Sequence, residues 1–231
     1  MVNAAAAADQ SSLSHNLLGQ RLGRKGRDTR ERILAATARL LAEPADTAIS
    51  LSAVAREASL GMTTLYLYFS DLTELLLAAL EPIIASAEES YIAHLRARWP
   101  DENLGAQCVA FVQAYHAFWQ RHARILHLRN SLADANDPRM RKHRIDMSQP
   151  LILMLVSQMD GDITKRRTPI SNMATVLITG IERLVTVATD AHFAVMPIED
   201  PAIHVGNLLR AEGRLLELAV RDCRDSQRRV R

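Results

Sequence analysis

The stretch from Ile49 to Leu76, ISLSAVAREASLGMTTLYLYFSDLTELL, constrains this chain more than any other. Ser50 can cap a helix running from Leu51 to about Ala58, which carries Val54, Ala55 and Ala58 on one face at helical spacing. Ser59, Leu60 and Gly61 supply a short turn, with the glycine expected to relieve backbone strain. A second helix follows from Met62 to about Phe69. Leu65 and Phe69, four apart, face back onto Val54 and Leu60, and Thr63, Thr64 and Tyr66 point outward. This pattern predicts a helix-turn-helix, a unit whose second helix fits the major groove of DNA.

The flanks extend the unit into a three-helix domain over residues 28–75. A first helix is expected from Asp28 or Thr29, either of which can cap it, with Ile33, Ala36, Thr37, Leu40 and Leu41 inward and Pro44 at its end. A fourth helix starts at Asp71, three residues before Glu74, which is capping-box spacing. Its stripe continues through Leu72, Leu75, Leu76, Ala79, Leu80, Ile83 and Ile84, interrupted by Pro82. Residues 1–27 lack apolar periodicity and read as a flexible basic arm. Residues 76–223 form a helical body, with helices near 104–120, 122–133, 138–159, 168–191 and 201–223. Pro138, Pro169 and Pro201 stand where helices start. Residues 224–231 read as a solvated basic tail. The fold class is therefore all-α, with about nine helices.

The net charge of +2 over 231 residues argues for nothing by itself, but its distribution matters. Between Pro44 and Leu75 the only basic residue is Arg56, against Asp46, Glu57, Asp71 and Glu74. Arg21, Arg24, Lys25, Arg27, Arg30 and Arg32 cluster just upstream. Phosphate neutralisation supplies much of the affinity for DNA, so this cluster is the expected source of it, along the backbone or in the minor groove. Cys108 and Cys223 have no metal-ligand spacing, which favours idle thiols in a reduced, cytoplasmic chain. The Ala4 to Ala8 run does not read as a signal peptide, and no segment is expected to span a bilayer. No cofactor or metal is called for.

The string Thr64-Leu65-Tyr66-Leu67-Tyr68-Phe69, with Ile33-Leu34-x-x-Ala upstream and Asp71-Leu72-Thr73-Glu74-Leu75 downstream, resembles the N-terminal domain of the tetracycline-repressor (TetR) family over residues 28–80. The resemblance implies a homodimeric, ligand-responsive transcriptional regulator, usually a repressor, that binds a palindromic operator. It implies that Met62 and Thr63 face base edges and that Thr64 and Tyr66 reach phosphates. Tyr68 lies near the backbone or packs, and Arg24, Lys25, Arg27, Arg30 and Ser50 complete the DNA-binding set. The alternative for Tyr66 is a packed aromatic that closes the small domain. Two positions depart from the family pattern: Leu72 replaces a phosphate-holding lysine, and Ser59 replaces a glycine.

In the body, the resemblance places dimerisation on the last two helices. Their three-four stripes include Val176, Gly180 and Leu184, then Gly206, Leu209, Gly213 and Leu216, where glycines allow close helix approach. The same residues could instead pack within one subunit. The effector cavity is expected among the preceding helices. Its candidate walls are Phe111, Tyr115, Trp119, Leu126, Met147, Leu151 and Met154, with His122 and Arg129 as polar anchors. Met140, Met147 and Met154, seven apart, suit either an adaptable ligand wall or a plain core stripe. The implied effector is a mostly apolar small molecule with one or two polar groups.

No H-E-x-x-H, nucleophile elbow, phosphate loop or cofactor fingerprint is found, so catalysis is not expected. The competing reading is a helical small-molecule-binding or scaffold protein without specific DNA binding, which Leu72 and the acidic reader helices favour.

Overall fold

A computed structural model describes residues 23–43, 48–190 and 200–230, and among them all regular structure is helical. The helices are α1 (Arg24–Ala42), α2 (Leu51–Glu57), α3 (Met62–Tyr66), α4 (Leu72–Ala85) and α5 (Ala87–Ser90). A 3-10 turn, η1 (Ile92–Leu95), precedes α6 (Leu104–Arg121), α7 (Ala123–Asp134), α8 (Pro138–Gln158), α9 (Pro169–Ala188) and α10 (Pro201–Val230). The chain divides into two compact units between Pro82 and Ile83. Arg21 and the rest of residues 1–22 lie outside the described residues, as do Pro44, Asp46 and Arg231.

The first unit is built on one apolar cluster. Ile33 and Ala36 of α1 meet Val54, Ala55 and Ala58 around α2, Leu65 and Phe69 around α3, and Leu75 and Ala78 of α4. Ser50 caps α2, its Oγ accepting the Ala53 amide at 3.2 Å. α1 begins at Arg24 instead of Asp28, with no side-chain cap at Gly23. Thr29 is inside the helix, its hydroxyl donating to the Lys25 carbonyl at 2.9 Å. Arg24, Lys25 and Arg27 therefore stand on helical turns and not on a free arm, because Arg and Lys are good helix formers.

The turn also differs from expectation. The left-handed residue is Ser59, at φ 52°, whereas Gly61 lies at φ −73°. The position that needs a glycine is thus the one that lacks it. At the start of α4, Asp71 Oδ1 accepts the Glu74 amide at 2.8 Å. Glu74 reaches back to the amide and hydroxyl of Ser70, one residue before the expected partner.

In the second unit the three prolines open their helices as expected, each behind a polar residue. Asp137 accepts the amides of Arg139 and Met140, Thr168 and Ser171 form a capping box, and Asp200 accepts those of Ala202 and Ile203. α10 lies close along α6: a Cβ on Gly213 would stand 2.8 Å from the Val109 Cα. The segment between Pro82 and Leu104 was expected only as the end of one helix, yet it holds α5 and η1.

The C-terminal basic tail is corrected outright, because α10 continues to Val230 and Arg224 is 1% exposed. Its guanidinium donates to the carbonyls of Gln158 (2.7 Å) and Trp99 (3.0 Å) and pairs with Asp101. Gln158 in turn accepts the Trp99 amide and donates to the Leu95 and Ala97 carbonyls. These bonds tie α10 and α8 to the irregular segment before α6.

By length and composition α9 would suffice to cross a membrane, contrary to the sequence expectation. Its threonines hide their hydroxyls by bonding back one turn, as Thr175 does to Ser171 and Thr179 to Thr175.

Candidate nucleic-acid interface and effector cavity

Two inward anchors, Leu65 and Phe69, decide what α3 shows to solvent. They fix the helix so that Thr63, Tyr66 (49% exposed) and Leu67 face outward, while Thr64 is half-buried. Met62 and Tyr68 are half-buried and pack against the apolar cluster, which limits how far each can reach outward. Ser50 is occupied as the α2 cap and shares a hydrogen bond with Ser52.

Arg30 is held in place, its guanidinium 5.4 Å above the Phe69 ring. Arg32 donates to the Ala58 carbonyl at the end of α2. The acidic character of this unit is largely engaged: Glu57 pairs with Arg39 at 2.6 Å, and Asp71 and Glu74 serve as caps. Arg24, Lys25 and Arg27 are exposed on α1.

In the second unit, Tyr115, Trp119, Leu126, Arg129, Met147 and Leu151 surround one small cavity. Of the other expected wall residues, Phe111 is buried deeper in the core, His122 forms the junction of α6 and α7 against Phe118, and Met154 stands off the cavity. The cavity holds about 20 Å³, roughly a water molecule, and is completed by Ile84, Tyr91, Phe118, Arg144, Ser148 and Glu182.

Tyr91, Ser148 and Glu182 were not legible as site residues. Tyr91 sits in the irregular segment, and Glu182 is one acid within the apolar pattern of α9. Arg129 and Glu182 pair at 3.1 Å beside the rings of Trp119, Tyr91 and Tyr115. Burial pushes the Tyr91 hydroxyl up to about 12, so it stays a protonated donor. Both cysteines are buried; desolvation pushes the Cys108 thiol up to about 12, which makes it inert.

The candidate dimerisation residues separate into two groups. Leu209, Gly213 and Leu216 are buried within the subunit's own bundle, Gly213 against α6, so their side chains are not available to a second copy. Val176 is 68% exposed and Gly180 is exposed; Leu184 and Gly206 are half-buried. The apolar side chains that α9 and α10 do show are Met173, Val176, Val187, Ile203, Leu215 and Leu218.

Residues 33–79 match the family model described as bacterial regulatory proteins, tetR family. No curated protein matches the chain. Among solved structures, a protein assigned as a transcriptional regulator of Streptomyces coelicolor A3(2) is 20% identical, with a TM-score of 0.55. That match covers 80% of this chain and 98% of the other. A TetR-like transcriptional regulator from Rhodococcus sp. RHA1 is 16% identical (TM-score 0.52, covering 84% and 96%). A tetR-family transcriptional regulator from Streptomyces coelicolor is 15% identical (TM-score 0.56, covering 87% and 90%). At these identities the likeness speaks to the fold, and the motif in residues 33–79 speaks to the family. Residues 33–79 thus carry the motif of the tetR family of bacterial regulatory proteins, on a chain whose fold is similar to that of solved transcriptional regulators.

Proposed function

We propose that the chain is a ligand-responsive repressor that binds a palindromic operator as a homodimer and is released by a mostly apolar small molecule. The observation that carries this reading is the anchoring of α3 through Leu65 and Phe69, which leaves Thr63, Tyr66 and Leu67 as a free outer face. Few of these groups hydrogen-bond bases well, so direct readout is modest and the α1 cations supply much of the affinity. The dimer forms through the exposed strip of α9 and α10, where Val176, Gly180, Leu215 and Leu218 allow close apolar contact. Pro82, at the boundary of the two units, is the proposed place where effector occupancy changes the spacing of the reading heads.

Selection of duplexes from a random pool, followed by anisotropy titration across salt, tests this reading. A two-fold symmetric sequence and a steep salt dependence are expected, with Tyr66→Ala and Lys25→Ala each weakening binding without lowering stability. Selection that returns no consensus favours the helical small-molecule-binding or scaffold protein, a reading that rests on the apolar Leu72 at the head of α4. A monomeric mass at micromolar concentration overturns the dimer.

A further inference from the structure

The chemistry around Arg129 limits what the small cavity can accept. Arg129, on α7, is among the few buried charged residues. Its Nε and Nη2 donate to Asn130 Oδ1 at 3.1 and 2.9 Å, and Nη2 also donates to Glu182 Oε1 at 3.1 Å. Nη1 donates to no group among the described residues. The guanidinium lies 5.5 Å above the Trp119 ring. Glu182 therefore engages the fork through one nitrogen, whereas a free carboxylate can take two parallel N–H bonds.

The two partners also differ in what displacement does to them. The Glu182 side chain is 20% exposed and the Arg129 side chain 5%. Displaced, Glu182 can turn to water. A cationic ligand that claimed Glu182 would instead strand Arg129 as an unpaired buried charge, which is strongly unfavourable. Arg144, which also lines the cavity, is already paired with Asp134 at 2.7 Å, and Glu182 is the only carboxylate among the described lining residues, so a ligand carboxylate can take the place of Glu182 at Arg129. Apart from Ser148 the remaining surface is aromatic and aliphatic: Tyr91 meets Tyr115 edge-on at 4.8 Å and Phe118 at 5.0 Å, an arrangement that accepts a further flat ring.

Building on the effector reading of this cavity, we propose that its ligand is a small aromatic carboxylic acid whose carboxylate replaces Glu182 as the partner of Arg129. Because the closed cavity holds about 20 Å³, the ring enters only as the flexible Met147 and the Glu182 side chain move. Binding is thereby coupled to a shift of α8 against α9, and the ligand selects the opened state.

The experiment uses the full-length protein with phenylacetate, phenylacetamide and phenethylamine, followed by calorimetry and by Trp fluorescence. Phenylacetate is expected to bind at least about tenfold more tightly than the amide, and the amine not to bind. Glu182→Gln retains or tightens phenylacetate binding, and Arg129→Gln loses it by about tenfold or more. Arg129→Lys, which keeps the charge and loses the fork, falls between and serves if Arg129→Gln does not fold. Equal binding of the amide or the amine overturns the proposal, as do no binding by phenylacetate and unchanged binding in Arg129→Gln.

Release from a selected duplex separates this from the effector reading. A neutral compound that binds here and frees the DNA keeps the effector reading and overturns the carboxylate. Phenylacetate that binds through Arg129 and leaves the DNA occupied does the reverse.

Discussion

The two units hold themselves together by different means. The first packs a nearly all-apolar cluster, from Ile33 to Ala78, and its polar bonds are caps and exposed pairs such as Arg39 with Glu57. The second buries Arg224, Arg129 and Gln158 and binds them across elements far apart in sequence. An apolar cluster tolerates small shifts, because burial is non-directional. Buried cations do not, since each needs specific partners in place. The first unit thus holds its outer face without depending on any one polar pair, whereas the second is sensitive to the exchange of a buried cation's partner.

The contrast can be broken first at Arg224. Replacement by alanine orphans the Trp99 and Gln158 carbonyls and opens a void. We expect a loss of roughly 3–5 kcal/mol in urea unfolding. A loss under about 1 kcal/mol would place the second unit on the same apolar footing as the first.

His143 gives the next largest effect. Burial foremost, then Arg129, holds its imidazole down at about 4, with Asp146 opposing and Lys142 assisting. Its Nδ1 is buried without a hydrogen-bond partner among the described residues. The unfolded chain therefore takes up the proton first as pH falls. Stability is full above pH 6.5 and declines as pH falls from 6.5 to about 4. His143→Leu should flatten this part of the pH profile of thermal unfolding. An unchanged profile would remove the group from the account.

Two glycines sharpen the comparison within the body. Gly213→Ala drives a Cβ into the α6 backbone and should cost roughly 1–3 kcal/mol, whereas Gly180→Ala meets only Glu212 at 3.6 Å. The exposed glycine should gain up to about 1 kcal/mol from helix propensity in the isolated subunit. Equal melting temperatures for the two variants would contradict the close α6–α10 packing. The smallest effect belongs to the first unit: Ser59→Gly relieves the left-handed residue and should raise stability by about 1 kcal/mol.

Much of the first unit was legible because its signals are local. Ser50, Val54, Leu65 and Phe69 located both helices and put Thr63 and Tyr66 outward through caps and spacing alone, although Thr64 is half-buried and α3 ends at Tyr66, short of the expected Phe69. The error at Ser59 arose because a glycine two residues away looked like the turn's strained position. In the body, helix starts were readable from Pro138, Pro169 and Pro201, since the first turn is where a helix tolerates a residue without an N–H. The stripe of Leu209, Gly213 and Leu216 on α10 was readable, but not whether it packs within its own subunit or against a second copy; α6 lying against Gly213 answers that.

The sequence by itself determined an all-helical chain, the helix-turn-helix and its likeness to the tetR family, because these follow from short-range periodicity, caps and turns. Only the tertiary structure decided that Arg224 is a buried clamp and not a tail residue, that Arg129 meets Glu182 beside Tyr91, and that Gly213 is interior while Gly180 is open. A charge or a glycine acquires its meaning from neighbours distant in the chain, and no local pattern encodes them.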